Sequence, residues 1–293
     1  MRRRATGKDA RLTARMAFVV SALLAVYAAL AFAIVEAQRA QPGWALYLDI
    51  VALALVIATI AQYHAADRFL LRTVGAKLVS RGEQPALYGH VDRLSALAGI
   101  APPRVAYVKS PEANAFAVGR RRNAVVITTS GLDEHLTAHE LGAVLAHEIS
   151  HIANGDAALM TAVTVPRTLG LLLVNGGEGV WGILWLAVWP LGLPLFAIGS
   201  LLSLTMSRYR EFAADRGSAL ITGEPEALMS ALTKLANAPI PHRDLRQLDP
   251  VEALCIVPTR ERRFELLMDH PPLEKRLARL AAMARELGKR VGP

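Results

Sequence analysis

Apolar residues fall into blocks along this 293-residue chain instead of being spread at core spacing. The run from Met16 to about Val35 carries no charge, and a second, from Trp44 to about Ala61, carries only Asp49 near its start. About 20 apolar residues suffice for a helix to cross a bilayer, so both are expected to span one. A third run, about Ala157 to Val174, is weaker because Pro166 and Arg167 interrupt it. A fourth, about Val180 to Met206, is strongly apolar although it holds Pro190 and Pro194. "NGGEG", between the last two, predicts a tight turn. Val35-Glu36-Ala37 loosely resembles a signal-peptide cleavage site, but the long first run and the second one behind it favour a membrane anchor.

The remaining stretches have the periodicity of a soluble fold. Residues 83 to 98 predict an amphipathic helix. "PRVAYVK", "NAFAVG" and "NAVVITT" are short β-like runs, and the last two, separated by Arg120, Arg121 and Arg122, predict a hairpin. "LTAHELGAVLAHEISHIANGD" predicts a helix from about 138 to 154. Thr137 and Glu140 have capping-box spacing, Leu136 and Leu141 that of a hydrophobic staple, and Gly155 supplies the left-handed stop. The expected fold class is α+β, mainly α. A polytopic membrane protein is expected, with four hydrophobic segments and a folded domain that carries a small β-sheet. The divisions fall at 1–66, 67–156, 157–206 and 207–293.

Charge adds an orientation. The net charge is +8 and the pI about 10. Such a balance suits nucleic acid, but aromatics are few and no nucleic-acid motif is present, so no nucleic-acid partner is expected. The basic residues crowd the N-terminus, the segment with Arg68, Arg72, Lys77 and Arg81, and the segment with Arg208 and Arg210. The two short connecting loops together hold one Arg. By the positive-inside rule both termini and the soluble part face the cytoplasm. A lone Cys255 excludes an internal disulfide and reads as a small buried hydrophobe.

The helix over 138–154 carries His-Glu-x-x-His. His147 and His151 are one turn apart and point the same way, so their imidazoles can fill two vertices of a zinc tetrahedron. Glu148 sits beside that point without ligating it, placed to take a proton from an attacking water and return it to a leaving amine. His135 and His139 lack a partner pattern and are expected to be surface or structural. A catalytic zinc wants a third protein ligand. "SRYREFAADRGSALITG" offers Glu211, with Asp215 on the same face to hold the second N–H of a ligand histidine. From spacing alone, a solvated helix with Glu–Arg pairs explains this stretch equally well.

"PEANAFAVG", "AHEISHIANGD", "SRYREFAADRGSA" and "HPPLEKRLARL" occur in an order that resembles the HtpX-type membrane zinc metalloproteases, relatives of the CAAX prenyl proteases. The likeness covers nearly the whole chain. It implies a gluzincin-like site holding one Zn2+, with His147, His151 and Glu211 as ligands and Glu148 as base. It also implies a protease of the bacterial inner membrane that helps clear damaged or misfolded membrane proteins.

Spacing adds a location. His151 precedes the third run by about six residues, and Glu211 follows the fourth by about five. At about 1.5 Å per helical residue, both lie within roughly 10 Å of an apolar boundary. The expected partners are the bilayer and membrane-protein or unfolded polypeptide substrates. Asn114, Ala115, Phe116 and Ala117 have the look of an edge strand that could take up an extended substrate, although Phe116 could simply be core. His270 could donate to an oxyanion or cap the helix after it, and Asn154 could support the metal or merely end its helix. Two alternatives remain open, an intramembrane metalloprotease and a non-catalytic membrane scaffold, as does an oligomer.

Overall fold

The computed structural model describes residues 9–119, 123–175, 182–238 and 270–288. Arg120–Arg122, the turn at 176–179, Cys255 and the basic residues at 1–8 lie outside them. Two compact units emerge: 9–65 with 158–207, and 66–157 with 208–288.

The first unit is helical. Asp9 caps α1 (Ala10–Ala40), its carboxylate accepting from the Arg11 and Leu12 amides at 3.1 Å. One 3-10 turn, Pro42–Trp44, leads into α2 (Ala45–Thr73). Across that turn Gln38 Nε2 donates to Asp49 at 2.7 Å, and Trp44 meets Tyr47 edge to face. Such rings suit a membrane–water boundary. Two further long helices are α6 (Asp156–Asn175) and α7 (Gly182–Thr222). Among the described residues four helical stretches are long and apolar enough to cross a membrane: Ala10–Ala40, Pro42–Ala65, Asp156–Asn175 and Pro190–Thr222.

The expected interruption at Pro166 and Arg167 does not occur, because α6 runs straight through it. Proline has no N–H, so Pro166 deprives the Ala162 carbonyl of its helical donor. The Tyr27 hydroxyl of α1 replaces it at 2.8 Å. Arg167 lies over the Phe196 ring at 5.9 Å. Gly170 and Gly199 let α6 and α7 approach closely: a Cβ on the first would overlap the Phe196 backbone, and on the second the Arg167 backbone. Close approach at small residues is how apolar helices gain contact when no water drives them together.

The second unit contains a four-stranded sheet in the order β1-β2-β4-β3. β1 (Lys77–Leu78) is antiparallel to β2 (Arg104–Val108), β2 is parallel to β4 (Val125–Thr129), and β4 is antiparallel to β3 (Ala115–Val118). The predicted hairpin is therefore β3–β4, and β3 is an edge strand. α3 (Pro85–Ala98), α4 (Ser130–His135), α5 (Ala138–Asn154), α8 (Pro225–Ala236) and α9 (Leu273–Glu286) complete the unit. One sheet face packs Val105 and Val126 against Leu94 of α3 and Leu145 and Ile149 of α5. The other packs Ala106, Phe116 and Ile127 against Leu70 and Val74, at and just past the C-terminal end of α2. Phe116 is thus core. A third cluster joins Val144 of α5 to Leu228 and Leu232 of α8 and Leu280 of α9.

α5 has the limits its end signals predict. Thr137 Oγ1 accepts from the Glu140 amide, Glu140 Oε2 accepts from the Thr137 amide at 2.8 Å, and Gly155 closes the helix at φ 74. Glu140 also receives Ser230 Oγ at 2.6 Å and Lys234 Nζ at 2.8 Å, tying the cap to α8. Two of the basic residues counted for orientation, Arg208 and Arg210, are buried in the fold, whereas Arg68, Arg72, Lys77 and Arg81 are exposed.

Candidate metal centre

α5 presents His147 and His151 toward α7, which carries Glu211. The two helices meet closely because Gly217 leaves room for Ser150, and Ser218 Oγ donates to the Ala143 carbonyl at 2.7 Å. His147 Nε2 and His151 Nε2 are 3.1 Å apart, and each is 3.4 Å from an oxygen of Glu211. Tetrahedral vertices at bonds of about 2.1 Å are separated by about 3.4 Å. The two imidazole nitrogens and the Glu211 carboxylate, which turns Oε2 to His147 and Oε1 to His151, are therefore spaced as zinc ligands are.

The outer contacts point both Nε2 atoms inward. His151 Nδ1 meets Asp156 Oδ2 at 2.6 Å. His147 Nδ1 lies 3.1 Å from Asp215 Oδ1, close but poorly aligned for a hydrogen bond. With each Nδ1 turned to a carboxylate, both Nε2 atoms converge on the Glu211 carboxylate, an arrangement that a cation suits. Arg276, itself buried, grips Asp215 with two bonds of 2.9 and 2.6 Å and lies 3.6 Å from Glu211.

Electrostatics follow from burial and these partners. Burial pushes the Glu211 carboxyl up, but His151, His147 and His270 outweigh it and hold it well below its ordinary value. Asp215 is likewise lowered against burial by Arg276 and His147. Burial pushes the His147 imidazolium down, yet Asp215 and Glu211 prevail and raise it to about 9, so a cation here competes with a proton. Glu148, fully enclosed, is shifted upward chiefly by burial, against the pull of both histidines and a bond from the Ala117 backbone N–H. A carboxyl raised in this way can hold a proton in transit.

The other anticipated residues are placed as follows. His270 is buried, with Nδ1 3.7 Å from Glu211 Oε2; Pro272, not His270, stands at the start of α9. Asn154 is exposed at the end of α5, and the group against His151 is Asp156. His135 bonds the Gly131 carbonyl and His139 meets Glu224, both away from the centre. Asn114 Nδ2 bonds buried Glu112 at 3.1 Å. Asp156, Arg210 and Arg276 escaped sequence reasoning. Only Asp156 left a signal, an acid five residues after a ligand histidine.

Residues 81–284 match Peptidase family M48. The chain belongs to this family. It is 40% identical to a Protease HtpX homolog of Moorella thermoacetica, over 98% of this chain and 99% of that one. It is 37% identical to Protease HtpX homolog 2 of Methanosarcina mazei, over 96% of this chain and 98% of the relative. Among solved structures its fold is similar to the crystal structure of S. mikatae Ste24p, with a TM-score of 0.53 at 16% identity. That likeness covers 92% of this chain and 66% of the longer Ste24p chain. This M48 protein is a metalloprotease with the helical segments of a membrane protein, and His147, His151 and Glu211 form a group able to hold its metal.

Proposed function

We propose that this M48 peptidase is a zinc-dependent endopeptidase that cuts membrane-protein or unfolded polypeptide chains. The observation that carries the proposal is the convergence of His147, His151 and Glu211 beside the buried Glu148. Two imidazoles and a carboxylate suit zinc. When bound, the metal supplies Lewis acidity that polarises the scissile carbonyl and makes water more acidic. Glu148 takes the proton of the attacking water and delivers it to the leaving amine. Asp215 and Arg276 keep His147 oriented. His270, whose Nδ1 lies 3.7 Å from the ligand carboxylate, would donate to the oxygen that gains charge.

The outer edge of strand β3 is the proposed substrate track. The Thr129 amide donates to the Asn114 carbonyl, so Asn114 and Phe116 are the residues whose main chain bonds β4. By alternation, the main-chain groups of Ala115 and Ala117 face outward. Ala117 gives its N–H to Glu148, which sets this edge against the base. An extended chain can add to such an edge with little demand on its side chains. Recognition by Phe116 itself does not fit, because its ring is enclosed in the core.

Chain spacing supports cutting close to a membrane face and the charge bias makes that face cytoplasmic, while the resemblance to the HtpX-type proteases is what suggests a bacterial inner membrane and a quality-control role. His151 precedes the third apolar helix, and Glu211 follows the fourth apolar run within α7. Exposed Arg68, Arg72, Lys77 and Arg81 keep the positive-inside argument intact without Arg208 and Arg210. Cutting inside the bilayer is disfavoured by the sheet beside α5.

The test is proteolysis of an unfolded protein by the detergent-purified, zinc-loaded enzyme beside Glu148→Gln. Wild-type cleavage with a loss of at least about 100-fold in the variant, at equal zinc content, is expected. Equal cleavage by both would sink the mechanism. No cleavage by either, with zinc bound, would favour a scaffold.

A further inference from the structure

Asp156 and Arg210 have no part in the mechanism above. Asp156 opens α6 directly after Gly155, whose left-handed backbone ends α5. This turn places the Asp156 carboxylate on His151 Nδ1 at 2.6 Å. Arg210 Nε stands 3.4 Å from the same carboxylate oxygen, and Arg210 Nη2 lies 3.7 Å from Glu211 Oε1. Both side chains are buried, Asp156 at 4% and Arg210 at 8% exposure.

The arrangement repeats, on the second histidine, the construction found on the first. His147 has Asp215 and then Arg276; His151 has Asp156 and then Arg210. Each arginine also approaches one oxygen of Glu211, Arg276 at Oε2 and Arg210 at Oε1. The two arms differ in grip. Arg276 holds Asp215 with two short bonds, whereas Arg210 touches Asp156 through one longer contact.

We infer that Arg210 is a positioning residue that acts through Asp156 on His151 and thereby sets how tightly the centre holds its metal. The inference rests on the assignment of His147, His151 and Glu211 as ligands. A ligand imidazole must present Nε2 in one orientation, and a carboxylate on Nδ1 fixes the ring and raises its basicity. A buried carboxylate needs a countercharge that holds it in place to do so. Arg210 is that countercharge. His151 needs the support more than His147 does, since it is 12% exposed against 1%.

Zinc affinity of the full-length protein in detergent tests this, by competition with a chromogenic chelator after metal stripping. The proteins are wild type, Asp156→Ala, Arg210→Met and the double variant, with the d–d spectrum of the cobalt-substituted proteins as a second readout. Asp156→Ala is expected to weaken binding about 10–100-fold, as loss of such an outer partner does. Arg210→Met should weaken it by at least about fivefold, and the double variant should lie close to Asp156→Ala, because the route through His151 is already cut there and only the 3.7 Å approach to Glu211 remains. The cobalt spectrum should shift in both single variants. Affinities within about twofold of wild type would overturn the inference, and so would losses that multiply in the double variant. If either variant loses its helical circular dichroism, Arg210→Lys and Asp156→Asn replace it: unchanged affinity in both overturns the inference, and weakened affinity in Asp156→Asn with partial retention in Arg210→Lys supports it. Failure of the wild type itself to bind zinc would instead remove the ligand assignment, and the inference with it.

Discussion

Gly217 of α7 sits against Ser150 of α5 so closely that a Cβ added to the glycine would overlap the Ser150 hydroxyl. Ser150 lies between the two histidines of the centre, and Gly217 lies six residues after Glu211. The absent side chain therefore sets the distance between the helices that bring the ligands together. Gly217→Ala is expected to destabilise the protein by about 1–3 kcal/mol, the usual cost of forcing a methyl into a packed contact. Zinc affinity should fall with it, and Ser150→Ala should recover part of both. Thermal denaturation in detergent and metal titration of Gly217→Ala, with and without Ser150→Ala, check this. Unchanged affinity in Gly217→Ala would show that the spacing is not set here.

Glu140 predicts an acid-sensitive step away from the centre. Burial pushes its carboxyl up, but Lys234, Ser230 and Thr137 overcome this and lower it from 4.5 to about 2. A carboxyl lowered on folding contributes stability above its unfolded value and loses it as pH falls through its folded value. The contribution should be complete above about pH 4.5 and gone near pH 2. Glu140→Gln should therefore melt below wild type at pH 7, with the gap closing across that window. A gap that does not change with pH would mean that the capping geometry matters and the charge does not.

Pairing of substrate with the β3 edge predicts a period of two. A peptide substrate carrying a single N-methyl group should lose cleavage only when the group falls on residues whose N–H faces Ala115 or Ala117. The expected loss is about tenfold in kcat/KM, the worth of one main-chain hydrogen bond. Uniform tolerance along the peptide would rule out edge pairing.

Tyr27 predicts a measurable cost in the helical unit. Tyr27→Phe removes the donor on which the Ala162 carbonyl depends, because Pro166 cannot supply one. A loss of about 1–3 kcal/mol is expected. Pro166→Ala in the Tyr27→Phe background should restore most of it by returning a backbone N–H. Denaturation in detergent micelles reads both, and an unaltered melting point in Tyr27→Phe would refute the account.

How much of this was legible depends on how local each cause is. The limits of α5 lie open in the sequence because Thr137, Glu140 and Gly155 act within one helical turn of each end. The hairpin β3–β4 and its edge position followed from two apolar runs around a short connection. Glu211 was legible only as one of two equal explanations until its neighbours' likeness to a known family favoured it. Arg276 was invisible, since nothing in "LEKRL" distinguishes a solvated arginine from one buried against Asp215, 61 positions away. The burial of Arg208 and Arg210 was invisible for the same reason: a count of charges does not tell an exposed arginine from an enclosed one. Pro166 misled differently. A proline breaks a helix when its orphaned carbonyl has nowhere to turn, and Tyr27, 135 positions away, gave it a partner.

If substrates pair with the edge strand β3 as proposed, there is a consequence for what is spared. An edge that reads main chain offers no password, so selection passes to the substrate's own folding equilibrium. A segment extended about one time in a thousand presents an apparent affinity about a thousandfold weaker than the same segment unfolded. Damage that raises this fraction raises the cutting rate in proportion. The protease then needs no mark of damage, because the odds of a chain lying straight are the mark.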